Sequence, residues 1–203
     1  METQVKFVVL GHHSRRRQAE TLAGIFDAHL LIDEANDGAN AAHRRALEWA
    51  AQQHCRVIIM EDDALPVHGS DEMFRYWVNR FPDDFISFYL GTGRPPQYQR
   101  QIATKLIDAD KHKGDYIEFE RLIHGVCYSP PQHSISRILD NWDALKAADY
   151  AVGDAYGGRV IYPCYSLVDH ADGDPVEQHP DNEPRTERRR AWRLAIFPVM
   201  RAS

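Results

Sequence analysis

The stretch Arg56-Val57-Ile58-Ile59-Met60-Glu61-Asp62-Asp63 places an apolar run directly before three adjacent carboxylates. A continuous apolar run is typical of a strand that is buried on both faces of a parallel sheet. Two further apolar runs lie upstream, one at residues 5–10, which ends at Gly11, and one at residues 29–32, which ends at Asp33. Each predicted strand therefore leads into polar or flexible residues at its carboxyl end.

Amphipathic segments separate these three strands. Their apolar residues recur at helical spacing, at Ala19, Leu22, Ala23 and Phe26 and again at Ala42, Ala46, Trp49 and Ala50. Further along, strands are expected at 85–90, 124–129 and 160–167 and helices around 74–81 and 135–145, with a loop at 91–101. Alternating strands and helices predict right-handed parallel crossovers. We therefore expect an α/β fold, a GT-A-like or Rossmann-like single domain whose mostly parallel central sheet is flanked by helices.

Length and composition limit the class of protein. The chain has 203 residues, of which 43% are hydrophobic and 27% charged, and this fits one soluble globular domain. No apolar run approaches the roughly 20 residues of a membrane span, and the N-terminus lacks a secretory pattern. Three cysteines far apart in the chain indicate reduced thiols, so a cytoplasmic protein is expected. The net charge of -6 argues against a protein that coats DNA.

Residues 61–63 are the first candidate metal ligands. Adjacent carboxylates repel one another and are costly without a cation, and alternation along an extended chain lets Glu61 and Asp63 share a face. Oxygen ligands suit Mg²⁺ or Mn²⁺. His170 follows the last predicted strand, within the acidic segment 168–173, and its imidazole could complete the site. The alternatives are a solvated acidic turn and an ordinary surface histidine.

The same residues carry a resemblance to a known family. A strand that ends in Ile58-Ile59-Met60-Glu61-Asp62-Asp63-Ala64 resembles the aspartate-x-aspartate motif of GT-A-fold glycosyltransferases, in particular the Glu-Asp-Asp form of the family 25 lipopolysaccharide-type enzymes. The order of motifs continues at residues 124–129, 152–154 and 161–168, so the resemblance covers roughly residues 5–172. The compact size, the loop at 90–96 and the segment 168–173 are similar to small glycosyltransferases encoded by bacteriophages. Some of those enzymes modify hydroxylated pyrimidines in phage DNA.

The resemblance implies a metal-dependent transferase that moves a sugar from a nucleotide sugar, UDP-linked by default, to a hydroxyl acceptor with inversion. The acceptor that it implies is a hydroxylated pyrimidine in DNA, and a phage-encoded enzyme would act in the host cytoplasm. A lipopolysaccharide or polysaccharide hydroxyl is the alternative acceptor. A non-catalytic nucleotide-sugar-binding protein and a metal-dependent phosphotransferase are the alternative functions. Catalysis is expected in a GT-A-like domain over residues 1–175, with residues 176–203 as an arginine-rich C-terminal extension.

The resemblance also assigns residues to the metal and the donor. Asp63 and His170 would hold the metal that bridges the donor's two phosphates, and Glu61 or Asp62 would contact the ribose or a metal-bound water. The other expected donor-binding residues follow the first two strands: Gly11, His12, Arg15 and Asp33. Gly11 permits close backbone approach, and Arg15 can pair with phosphate. A solvated helix face at residues 15–17 and a turn-capping role for Asp33 are the alternatives.

Inversion needs a carboxylate that takes the proton of the acceptor hydroxyl, and the resemblance implies Asp154, in Val152-Gly153-Asp154, as this base because of its place in the order of motifs. A helix N-cap is its alternative role. The expected acceptor-binding residues are Arg94, His124, Arg188, Arg189 and Trp192, with a lid as the alternative role for Arg94 and its proline loop. In the segment 185–201, arginines could hold phosphates while Trp192 stacks on a base. The segment could instead form an amphipathic helix on an anionic membrane, or a basic helix folded onto the acidic body.

Overall fold

Strand β1 (Val5–His12) lies inside the sheet, between β2 (His29–Asp33) and β3 (Arg56–Glu61), and pairs in parallel with both. These are the three strands that the apolar runs predict. Helices α1 (Arg16–Phe26) and α2 (Ala39–Ala51) connect them. The structure is a computed structural model, and it describes residues 4–173, 176 and 188–196.

Four more strands complete the central sheet: β5 (Phe85–Ser87), β6 (Tyr116–Phe119), β7 (Cys127–Ser129) and β8 (Val160–Pro163). The strand order across the described sheet is β2-β1-β3-β7-β5-β8-β6. β7 is antiparallel to β3 and β5, and β6 is antiparallel to β8, whereas β5 and β8 are parallel. Five strands therefore run in one direction and two in the other. The predicted α/β fold with a mostly parallel sheet is confirmed.

Strands β4 (Ala64–Pro66) and β9 (Val168–His170) form a separate antiparallel ribbon just after β3. The sequence predicts one strand over 160–167, but the chain leaves the sheet after β8 and pairs with β4 instead. The remaining helices are α3 (Ser70–Arg80), α4 (Pro96–His112), α5 (Ile135–Asp140) and α6 (Ala148–Tyr156). Helix α4 replaces much of the loop predicted at 91–101, because a proline in the first turn does not interrupt a helix.

Alternate side chains of the central strands serve two cores, one on each face of the sheet. Val8 and Ile59 belong to the core that includes α2, α5 and α6, and Val9 and Ile58 belong to the core that includes α1 and α3. Both faces are therefore covered, which explains the continuous apolar runs. Polar side chains find room at the carboxyl ends of the strands, where ligands of such sheets bind.

Residues 188–196, which we call the C-terminal strap, return to the body of the domain. The strap pairs with two loops of the body, since Ala191 forms a bridge with Gly91 and Leu194 forms one with Ser166. Its backbone therefore lies across the carboxyl side of the sheet, near β9.

Candidate metal and donor site

The end of β3 and the β4–β9 ribbon bring together three metal-ligating side chains, Glu61, Asp63 and His170, which we call the carboxylate–histidine cluster. One ligand atom from each lies within 4.8 Å of the others. The ribbon pairs Ala64 with His170, and the N–H of Ala171 donates to the Asp63 carbonyl at 2.8 Å, which fixes the histidine beside the aspartate. Asp63 Oδ2 and His170 Nε2 are 3.6 Å apart. The two residues predicted as metal ligands therefore lie in a cluster that could hold a metal.

Asp63 is buried, and protein hydrogen bonds do not saturate it. Its Oδ2 accepts from Arg15 at 2.8 Å, whereas its buried Oδ1 has no hydrogen-bond partner among the described residues. Burial, and then the neighbouring Glu61 carboxylate, raise the pKa of Asp63. A buried carboxylate oxygen without a donor costs free energy, which a divalent cation would relieve. Two carboxylates and an imidazole suit Mn²⁺ or Mg²⁺, so these residues fit the metal.

Hydrogen bonds fix His170 in the form that binds metals. Its Nδ1 lies 2.7 Å from the carbonyl oxygen of Ala171, which can only accept, so Nδ1 carries the proton. Nε2 therefore keeps its lone pair, and it accepts from the Arg189 guanidinium at 3.1 Å. A backbone carbonyl behind the ring is a common way to orient a ligating histidine.

A hydrogen-bonded chain behind Glu61 orients its carboxylate. His43, on α2, donates through Nε2 to Glu61 Oε1 at 3.0 Å, and the Tyr128 hydroxyl donates to His43 Nδ1 at 2.8 Å. Burial opposes the charge on Glu61, but the hydrogen bond from His43 helps to lower the pKa of the carboxyl below its usual value. Gly125 leaves the necessary space, because a Cβ there would lie 3.0 Å from Glu61 Oε1 and 3.2 Å from the His43 ring.

Glu61, which the run of carboxylates makes a candidate metal ligand and the resemblance assigns to the donor, is grouped with the metal ligands. His43 was not predicted as a site residue, although it has a sequence signal. With Ala46 and Ala50 it lies on the apolar face of the second predicted helix, at i, i+3 and i+7. A histidine on such a face needs a polar partner inside the protein, and Glu61 provides it.

Asp62 turns toward the start of the first helix. Its Oδ2 accepts from the backbone N–H of His12 at 2.8 Å, and its Oδ1 accepts from the Arg15 guanidinium at 3.2 Å. The same NH1 atom of Arg15 reaches Asp63, so one guanidinium bridges the two aspartates. Asp62 therefore ties β1 to the residues after β3 and positions Arg15.

An open cleft of about 900 Å³ adjoins Arg15 at the start of α1. Its lining comprises His12, His13, Ser14, Arg15, Arg16, Arg17, Gln18, Gly173 and Val176. The His12 ring is held in place by Ser14 Oγ at 2.7 Å and Asn36 Oδ1 at 2.8 Å. Guanidinium groups and the N–H groups at the start of a helix favour an anion. Two predicted donor-binding residues, His12 and Arg15, thus line one basic cleft beside the cluster.

Gly11 and Asp33, the other predicted donor-binding residues, support the scaffold. A Cβ at Gly11 would lie 2.6 Å from side-chain atoms of both Ala19 and Ile32, so glycine lets α1 and β2 pack closely on β1. Asp33 is buried and accepts from two N–H groups of the loop that follows it and from Arg45. Burial opposes its charge, but these bonds lower its pKa. The capping role named as the alternative for Asp33 is present in the structure.

The two aspartates of α6 have different surroundings. Asp154, the predicted base, pairs through Oδ1 with Arg121 at 2.6 Å and through Oδ2 with Lys146 at 2.8 Å. Asp149 lies five residues earlier, about 140° round the helix, and interacts electrostatically with Glu61. Burial, and to a lesser extent Glu61, raise the pKa of Asp149 to about 6. Asp149 is thus the aspartate of α6 that is electrostatically linked to the cluster, and it was not predicted.

The predicted acceptor-binding residues divide between the site and its surroundings. Arg189 reaches His170 in the cluster, and the exposed side chain of Arg188 lies beside it in sequence. The Nε2 of His124 donates to the carbonyl of Arg94 at 2.8 Å, and its buried Nδ1 has no hydrogen-bond partner among the described residues. Burial lowers the pKa of His124 to about 4, so this ring is neutral near pH 7.

Trp192 packs against the core that includes α2, α5 and α6, and its indole N–H donates to Gln99 Oε1 at 3.0 Å. The strap contains no helix, so the amphipathic-helix and basic-helix alternatives do not hold for residues 188–196. Arg185 and Arg201, which belong to the same predicted segment, lie outside the described residues. No helix in the described part of the chain is both long and apolar enough to cross a membrane.

Neither a protein-family model nor a curated protein sequence matches this chain. Among solved structures, the chain is similar to the crystal structure of A197 from STIV, with a TM-score of 0.55 and 10% sequence identity. The match covers 96% of this chain and 99% of that one, and at this identity it concerns the fold alone. Fold and site together define a class: a Rossmann-like α/β domain with a carboxylate–histidine cluster at the carboxyl edge of its sheet.

Proposed function

We propose that this protein is a metal-dependent glycosyltransferase, which moves a sugar from a nucleotide-sugar donor to a hydroxyl acceptor with inversion at the anomeric carbon. The observation that carries the proposal is the buried Asp63 Oδ1 without a donor among the described residues, in a cluster with Glu61 and His170. A basic cleft adjoins this cluster through Arg15. A divalent cation would coordinate the Asp63 oxygen that has no donor, and a diphosphate would bind in the basic cleft. The resemblance of residues 58–64 to the GT-A motif supports a sugar nucleotide as the source of that diphosphate.

Glu61, Asp63 and His170 would hold the metal, with Mn²⁺ or Mg²⁺ as the proposed ion. When bound, the metal supplies Lewis-acid stabilisation of the departing nucleoside diphosphate. Arg15 acts on the phosphates directly, because Asp62 and Asp63 hold its guanidinium at the rim of the cleft, where it can pair with phosphate oxygens. A UDP-linked sugar is the proposed donor, following the resemblance.

For the general base, we favour Asp149 over Asp154. Each oxygen of Asp154 is already paired with a cation, Oδ1 with Arg121 and Oδ2 with Lys146, so neither oxygen is open toward an acceptor hydroxyl. Asp149 has a pKa raised to about 6, close to the value that suits proton transfer near pH 7. In the proposed step, this carboxylate takes the proton of the acceptor hydroxyl. The hydroxyl oxygen bonds to the anomeric carbon, and the bond from that carbon to the diphosphate oxygen breaks.

The proposed acceptor is a hydroxylated pyrimidine in DNA. Two observations support it: the resemblance to the phage enzymes, and exposed arginines of the strap, Arg188 and Arg190, which follow the segment that carries the resemblance. Phosphate contacts of this kind hold a strand locally, and an overall charge of -6 does not prevent them. A lipopolysaccharide or polysaccharide hydroxyl is the competing acceptor.

A thermal-shift screen of nucleotide sugars with and without Mn²⁺ tests the donor. We expect at least one nucleotide sugar to raise the melting temperature when Mn²⁺ is present, and Asp63→Asn should abolish this shift. Equal stabilisation by plain nucleoside triphosphates, with no dependence on the sugar, would favour the phosphotransferase. Binding without any turnover would favour the non-catalytic binding protein.

Transfer assays then test the acceptor and the base. The stabilising donor is offered to hydroxymethylated DNA and, separately, to oligosaccharides. Modification of the oligosaccharides alone contradicts the DNA acceptor. Asp149→Asn should bind the donor normally and lose at least about 100-fold in turnover, whereas Asp154→Asn should stay close to the wild type. The reverse pattern would return the base role to Asp154.

A further inference from the structure

Arg189 is hydrogen-bonded to the imidazole nitrogen that a metal ion would need as a ligand. Its NH1 lies 3.1 Å from His170 Nε2, and Nε2 is the nitrogen that keeps a lone pair, because Nδ1 donates to the carbonyl of Ala171. The same nitrogen lies 3.6 Å from Asp63 Oδ2, so it faces the carboxylate–histidine cluster. A lone pair cannot serve a guanidinium N–H and a metal ion at once, and two cations at this distance repel each other.

The charges around the cluster also indicate that Arg189 and a metal ion compete for the same place. Arg189 interacts electrostatically with Glu61 and stabilises its charged form. A second guanidinium group, that of Arg15, contacts the cluster at Asp63: its NH1 lies 2.8 Å from Asp63 Oδ2. Two guanidinium groups thus stand against a cluster that carries two carboxylates. Their positive charges compensate the two carboxylates, which is the role that a bound divalent ion would take over.

The backbone that carries Arg189 is anchored independently of the cluster. The Ala191 N–H donates to Asp169 at 2.7 Å, and the Trp192 N–H donates to the Leu90 carbonyl at 2.8 Å. Because these bonds do not involve His170, the guanidinium can leave its position by side-chain rotation while the strap stays in place. A long arginine side chain makes such a movement inexpensive.

We propose that Arg189 is a displaceable counter-cation of the metal site: it caps His170 Nε2 until a divalent ion takes that lone pair, and metal binding releases the guanidinium while the strap stays docked. This role moves Arg189 from the acceptor, where the sequence places it, to the metal end of the site. The inference rests on the metal site of the proposed function, but it requires neither a nucleotide sugar nor transfer.

Mn²⁺ titration without any nucleotide tests the competition, with free Mn²⁺ followed by electron paramagnetic resonance. Arg189→Gln should bind Mn²⁺ about five- to tenfold more tightly than the wild type, since one charge-assisted hydrogen bond no longer has to be broken. Arg188→Gln is the matched control, because it removes the same charge from a neighbouring exposed position. Its Mn²⁺ affinity should change less than about twofold, as expected for a screened surface charge. Equal affinities of the two variants, or weaker binding by Arg189→Gln, overturn the proposal.

A second measurement uses the wild-type protein, so it does not depend on the folding of a variant. In a Mg²⁺ titration followed by nuclear magnetic resonance, the side-chain nitrogen signals of Arg189 should shift, while the indole N–H signal of Trp192, which reports its bond to Gln99, stays in place. Loss of that indole signal from its position would mean that the whole strap lifts, which contradicts the proposal.

The same experiments separate this inference from the proposed function. Failure of both the wild type and Arg189→Gln to bind Mn²⁺ overturns this inference and the metal site together. Normal competition without nucleotide-sugar binding leaves the inference standing and contradicts the proposed function alone.

Discussion

Two groups of acidic side chains in this domain are built in opposite ways. The carboxylate–histidine cluster is largely buried, and Asp63 keeps one oxygen without a donor among the described residues. Asp154 is half-buried beside the more exposed Arg121 and Lys146, and each of its oxygens has a cation. We call these last three residues the Asp154 ion-pair group. Both groups contain an aspartate from a motif of the resemblance. Of the two, only the carboxylate–histidine cluster has a carboxylate oxygen to which no described residue donates a hydrogen bond.

The comparison teaches that the number of carboxylates does not define a binding site. A carboxylate that is saturated by arginine and lysine is a stable structural element with little affinity left for a ligand. A carboxylate that is buried beside another one, with too few donors, is stabilised by whatever cation arrives. The predictions below test whether this difference, measured as metal affinity, pH dependence and stability, separates the two groups.

The largest expected effect concerns metal binding by Asp63. Asp63→Asn should weaken Mn²⁺ binding by more than about 100-fold, beyond the loss that is usual for a residue that only orients a ligand. Asp154→Asn, the same chemical change in the other group, should alter it by less than about twofold. Calorimetric titration of both variants measures this, and circular dichroism checks that Asp63→Asn is folded. Similar affinities in the two variants would mean that the cluster holds no metal.

A smaller effect is expected from His43, which orients Glu61 through its Nε2 hydrogen bond. His43→Leu should weaken Mn²⁺ binding by about tenfold, because Glu61 loses the donor that fixes its carboxylate. His43→Gln, whose amide can still donate, should recover part of the loss, and Tyr128→Phe should give an intermediate value. Unchanged affinity in His43→Leu, measured with the same titration, would reduce His43 to a core residue.

The sequence was sufficient for the central fold because hydrophobic periodicity is a local property. The runs at 5–10, 29–32 and 56–60 predict β1, β2 and β3, which pair as parallel neighbours. Strand β9 was not predicted, since its position depends on pairing with β4, and a ribbon of three residues per strand has no periodicity to detect. The start of helix α4 was assigned to a loop because proline usually interrupts a helix, whereas the first turn of a helix tolerates proline.

The site residues also divide into those that the sequence could predict and those that depend on packing. Asp63 and His170 could be predicted as partners, since both follow predicted strands and carboxyl ends of strands share one edge of a sheet. His43 and Asp149 could not, because their relation to Glu61 depends on how α2 and α6 pack across the core. The resemblance placed the base at Asp154, where motif order is satisfied. About 140° of helix rotation separates it from Asp149, and rotation is set by packing.

Asp149 gives a pH-dependent prediction of moderate size. Its folded-state pKa of about 6 lies above the roughly 3.9 of an unfolded aspartate, so folding favours its protonated form. The associated stabilisation is complete below about pH 4 and is lost as the pH rises through 6. Because the carboxyl keeps some contact with water, we expect the wild type to lose about 1 kcal/mol relative to Asp149→Asn between pH 4 and 7. Urea unfolding of both proteins across this range measures the difference, and parallel pH profiles would contradict the raised pKa.

The smallest effect belongs to the Asp154 ion-pair group, and it completes the comparison. Asp154→Asn leaves Arg121 and Lys146 without their shared partner, but both cations are substantially exposed, so water replaces most of the lost interaction. We expect the melting temperature to fall by about 3 °C or less at low ionic strength. About 1 M NaCl should erase the difference, because salt screens exposed pairs. A larger loss that persists in salt would show that Asp154 is held more tightly than the exposure of its two cations implies, and the contrast with Asp63 would then rest on metal affinity alone.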